Sequence, residues 1–161
     1  MEPKETIALG AVQAGIKKFD KIQKITQIEP KELDSILELL ENRKFILVVE
    51  KNGMFGKKIE IVVSKKGSDE VDKQVHELQT RWNQMSILYK TEDKDKLKQY
   101  MDENKSFFPI MIFFGVMDMM MFSMMFSMIG MTMSNYVPPE NIPEGEDRDM
   151  DEGKFDIDVG S

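Results

Sequence analysis

Residues 107–133, FFPIMIFFGVMDMMMFSMMFSMIGMTM, constrain this chain more than any other stretch. They hold ten of its fifteen methionines and a single charged side chain, Asp118. A helix needs roughly 20 mostly apolar residues to cross the ~30 Å hydrocarbon core of a bilayer, and the run is long enough. The expectation is therefore a transmembrane helix over 107–134. Pro109 falls in its first turn, where proline is tolerated. Asp118, about twelve residues in, would cost about 2.5–3.5 kcal/mol at a helix centre, which makes it a functional candidate inside the membrane. Ser123 and Ser127 form a small-xxx-small pair of the kind that lets membrane helices approach closely. Two other readings stay open: a methionine-rich surface that accepts varied apolar partners, and a copper cluster of thioether ligands. No histidine or cysteine lies near enough to help the second.

Charge is unevenly spread. The net charge of −7 resides wholly in residues 138–161, which carry nine acidic and two basic side chains; residues 1–137 carry twenty of each sign. The folded part thus has no global attraction for nucleic acid. With no cysteine, disulfides, thiolate metal sites and cysteine nucleophiles are excluded. The opening MEPKETIALGAVQAG lacks the basic start and apolar segment of a secretory signal. Lys94, Lys96, Lys98 and Lys105 precede the apolar run, whereas only Arg148 and Lys154 follow it. The positive-inside rule then predicts a protein of the cell membrane with its N-terminal domain in the cytoplasm. Residues 135–161, acidic and rich in proline, are expected to form a disordered tail. Within it FDIDV (155–159) is a candidate docking segment.

The polar part reads as helices over 5–17, 19–27 and 30–43, the last with Leu33, Ile36, Leu37 and Leu40 on one face. After Lys44 the period changes. FILVVE (45–50) and KIEIVV (58–63) are β-branched runs joined by a turn containing Asn52-Gly53 and Gly56. Three short helices followed by a hairpin predict an α+β fold, a helix-turn-helix with a β-hairpin wing over residues 1–67. Residues 68–90 predict a long helix capped by Ser68. On it Val71, Val75, Leu78, Trp82, Met85 and Tyr89 recur at spacings of 4, 3, 4, 3 and 4, a heptad seam suited to dimerisation or to packing on the first helix. Residues 92–104 read as a polar spacer helix, closing a helical segment over 68–106.

The stretch FDKIQKITQIEPKELDSILELLENRKFI, with its glycine-containing hairpin and VSKKG, resembles the winged-helix regulators of the MarR and PadR groups. The family's Thr/Ser-x-x-Gly motif corresponds to Ser64-Lys65-Lys66-Gly67. The resemblance implies a homodimer paired through the long helix, and a third helix that enters the DNA major groove while the wing touches the backbone. Candidate DNA contacts are Lys17, Lys18, Lys21 and Lys24, Lys31 and Ser35, and Lys51, Lys57 and Lys58 in the wing. Against this, the outward face of the third helix is acidic, with Asp34, Glu38 and Glu41. Winged helices also dock proteins, and the acidic helix or the acidic tail would serve that role. His76 is the only histidine, and no phosphate loop, nucleophile–base pair or metal-ligand spacing is present. No enzyme and no cofactor is expected. The leading expectation is a membrane-tethered transcriptional regulator; the alternatives are a membrane-associated protein adaptor and a soluble binder using the methionine run.

Overall fold

Apolar alternation over 45–63 becomes an antiparallel hairpin, β1 (Ile46–Gly53) and β2 (Gly56–Val63), in the computed structural model, which describes residues 1–138. The chain is α+β and divides into two units, Met1–Lys73 and the described residues from Gln74 onward.

In the first unit, α1 (Pro3–Gln13), α2 (Phe19–Thr26) and α3 (Pro30–Asn42) precede the hairpin. Pro3 and Pro30 stand in first turns, where a missing N–H leaves nothing unsatisfied. Glu29 caps α3 by accepting from the Glu32 N–H at 3.2 Å. α1 stops at Gln13, short of the predicted 17, because the Gly15 and Ile16 N–H groups turn back onto Val12 and Ala11. α1 packs on α2, α3 and β2, and α3 packs on β1. Leu9, Ile22, Leu33, Leu40 and Ile46 are fully buried there.

The hairpin hands over to a long helix, α4 (Lys65–Lys90), at the Ser-x-x-Gly motif. Ser64 Oγ donates to the Lys44 carbonyl at 2.7 Å and accepts from the Gly67 N–H at 3.0 Å. This cap starts the helix at Lys65, three residues before the predicted start. Gly67 lies directly against the Phe45 backbone: a Cβ there would fall 2.1 Å from the Phe45 carbonyl oxygen. Gln13 ties α1 to the first turns of α4 through Ser68 and Asp72, at 3.2 and 3.3 Å.

In the second unit the expected membrane helix is not formed. Residues 107–133 fold into α6 (Phe108–Phe113), a turn, and α7 (Met119–Ile129), preceded and followed by single 3-10 turns. Among the described residues, no helix is long and apolar enough to cross a membrane. The break has a local cause. Gly115 takes φ +67°, and the Gly115 and Val116 N–H groups close α6 onto Ile112 and Met111, each at 3.1 Å. Three residues later Asp118 accepts from the Met121 N–H at 3.1 Å and caps α7. Asp118 is thus an exposed helix cap, and Ser123 and Ser127 lie on a short helix, half-buried and exposed respectively.

The two short helices fold back on themselves and on the polar elements before them. Phe122 is the hub: its ring stands 6.3 Å from Trp82, 5.1 Å from Phe108 and 4.8 Å from Phe126, all edge-on, the separations aromatic pairs favour. α5 (Lys94–Asn104), expected as a solvated spacer, buries Leu97 and Met101 and packs on α7. Arg81 of α4 lies 3.8 Å over the Phe107 ring and donates to Asn104.

The predicted tail also starts later than 135, since Tyr136 and Val137 are buried. Tyr136 donates its hydroxyl proton to Asp102; burial first, and then this bond, push the hydroxyl up to about 12, while the same bond lowers the Asp102 carboxyl. Beyond residue 138 the expected disorder and the FDIDV segment lie outside the described residues.

Gly67→Ala is expected to destabilise the protein by roughly 3 kcal/mol or more, because two backbones must separate to admit a methyl group; urea unfolding measures it. Asp118→Ala is expected to lose about 1 kcal/mol by the same assay, and Asp118→Asn to retain most of that, as asparagine caps about as well. Equal losses in the two variants would mean that Asp118 does something other than cap.

Candidate binding surface

The exposed surface of the first unit has two distinct chemistries. Along α3, the buried positions 33, 36, 37 and 40 force Asp34, Glu38 and Glu41 to the outside, where spacings of four and three set them in one stripe. None of these three carboxylates has a cation within 4 Å among the described residues, whereas Glu32 is paired with Lys4 at 2.9 Å. Lys31 and Ser35 share the exposed face. The turn that presents α3 is well fixed. Gln27 takes φ +60°, the Gln23 amide donates to the Ile28 carbonyl at 2.9 Å, and Ile28 is buried.

The second chemistry belongs to the hairpin. Lys51 faces Lys58 directly across the strands, and Asn52 faces Lys57. Two wing lysines are engaged by acids: Lys51 with Glu60 at 3.2 Å and Lys57 with Glu50 at 3.6 Å. The Lys17 carbonyl accepts from the Ile61 N–H at 2.9 Å, which lays the α1–α2 connection along β2 and brings Lys17 and Lys18 towards Glu60. The structure therefore gathers Lys17, Lys18 and Lys51 around one carboxylate. Lys21 and Lys24 sit exposed on α2, and Lys58 is exposed on β2. The Glu60 carboxyl is held below the usual carboxylate range, first by its hydrogen bond with Lys51. Burial opposes this, and the charges of Lys51, Lys17 and Lys18 reinforce it.

At the tip of the hairpin stand Met54 and Phe55, 90% and 98% exposed. In the sequence, Gly53 and Gly56 on either side identify the segment as a turn and assign no role to the two apolar residues between them. The signal was present: two large apolar side chains occupy positions that turns give to Gly, Asn, Asp or Ser.

The predicted dimer seam is occupied within the chain. Val71, Leu78, Trp82 and Met85 are buried, and Val75 and Tyr89 are half-buried; Trp82 is spent on Phe122 and the Tyr89 hydroxyl reaches Met124 Sδ at 3.5 Å. His76 is exposed on α4. Among the described residues, no group of three His, Cys, Asp or Glu side chains is placed to hold a metal ion. No family model matches the chain, and no curated protein or solved structure matches it.

A lowered carboxyl stabilises the fold above its ordinary titration range, and that contribution disappears as pH falls through the lowered value. Glu60→Gln is therefore expected to flatten the loss of stability on acidification; thermal unfolding of both proteins from neutral to acid pH measures the difference.

Proposed function

We propose that residues 1–73 are a winged helix, with α2 and α3 as its helix-turn-helix and the hairpin as its wing, and that it docks a protein partner with a basic surface. The order of elements and the resemblance to the MarR and PadR groups support the winged-helix reading. The observation that carries the docking reading is the stripe Asp34, Glu38 and Glu41 on α3, which has no cationic partner among the described residues. In a DNA-binding winged helix this element enters the major groove, between two rows of phosphates that call for Lys or Arg. Three carboxylates there would be repelled, whereas a lysine- or arginine-rich protein surface is their complement.

One observation favours the second reading, a DNA-binding transcriptional regulator. Lys17, Lys18, Lys21 and Lys24 lie on the connection before α2 and on α2 itself, and the wing adds Lys58, so a phosphate-binding face would have to exclude α3. Titration of the full chain at low salt separates the two, with amide chemical shifts as the map. An oligolysine peptide is expected to shift α3 resonances, and Glu38→Lys combined with Glu41→Lys to weaken its binding roughly tenfold (~1.4 kcal/mol). A peptide footprint confined to the acidic tail, or a DNA footprint on α2 and the wing without a peptide footprint on α3, would overturn the docking reading.

A further inference from the structure

The tip of the hairpin has no structural need for the residues it carries. Met54 and Phe55 are the two central turn residues, flanked by the paired glycines Gly53 and Gly56. Neither side chain touches a core, since both are almost wholly exposed. Behind them, residues 51–58 contain three lysines and no acid, in a chain whose net charge is −7. Two of the three, Lys51 and Lys58, stand directly opposite each other, a like-charge pairing that weakens a hairpin. An apolar point with a cationic collar matches a ligand that is apolar within and anionic at its surface.

We propose that this tip inserts into the interface of an anionic lipid bilayer. Met54 and Phe55 enter the boundary between headgroups and acyl chains, a layer about 5–10 Å deep for peripheral anchors. The lysines follow two or three residues behind, roughly 7–10 Å along the strands. Their long stems carry the ammonium groups to the phosphates, where each basic residue contributes about fivefold in affinity. Glu50 and Glu60, which pair with Lys57 and Lys51, lie further from the tip; phosphates would compete for both lysines. The acidic stripe of α3 takes no part, so this anchor is independent of the protein-docking reading. It also differs from a spanning helix, because it needs only a turn.

Sedimentation of the full chain with vesicles tests it. At low salt, binding is expected to vesicles of equal parts phosphatidylserine and phosphatidylcholine, and to be much weaker with phosphatidylcholine alone. Met54→Ser combined with Phe55→Ser is expected to lower binding about tenfold or more without changing thermal unfolding, since both side chains are exposed. Lys57→Gln with Lys58→Gln is expected to lower it about fivefold per lysine. Phe55→Trp is expected to gain a component of blue-shifted emission on vesicles, relative to the parent with Trp82 alone. Absence of vesicle binding, binding that survives the double serine variant, or emission unmoved by vesicles would each overturn the proposal. Glu38→Lys with Glu41→Lys is expected to keep tip-dependent binding, so failure of one reading does not mimic failure of the other.

Discussion

A five-residue interruption, 114–118, governs what the apolar run becomes. Gly115 closes α6 by allowing a left-handed turn, and Asp118 opens α7 by satisfying an N–H that would otherwise lack a partner. Between them the chain turns back far enough for Phe108 of α6 to meet Phe122 of α7. Without that reversal, 27 residues in one helix would present apolar side chains all round, and only lipid would cover them. With it, each helix shows one apolar face to the others. The polar helices α4 and α5 supply Trp82, Leu97 and Met101 to the same cluster.

Methionine suits a core assembled from such short pieces. Its unbranched thioether side chain fills irregular gaps that β-branched residues would leave. Met85, Met101, Met111 and Met125 are all fully buried. Two methionines stay outside on α7, Met120 and Met124, and Met124 accepts from Tyr89.

The first unit is organised by a different constraint, the near-contact of two backbones at Gly67 and Phe45. The hairpin, the end of α3 and the start of α4 converge there, joined through Ser64. That junction leaves the hairpin projecting with little to cover it, and Leu47, Val48 and Ile59 are exposed along it. A projecting hairpin and a cleanly amphipathic α3 give this unit two separate presentation surfaces, one apolar and cationic, the other acidic. Their charges are opposed, so a polyanion would be attracted to one and repelled by the other.

Local signals in the chain determined the elements of the first unit: proline at the starts of α1 and α3, the leucine stripe of α3, and the switch to alternation after Lys44 are all short-range effects. The Ser-x-x-Gly motif was legible as well, although its reason, the Phe45 carbonyl against Gly67, is a contact between residues 22 positions apart. Tertiary structure alone decided the rest. Hydropathy counts apolar side chains without knowing whether protein or lipid will cover them, so Asp118 reads as a functional residue of a membrane helix when it caps α7, and Gly115 and Gly130 mark helix ends. A heptad seam likewise states only that a helix face will be buried. Whether Leu78, Trp82 and Met85 meet a second copy or their own chain depends on where α7 lies, and that position follows from the packing of side chains distant in sequence.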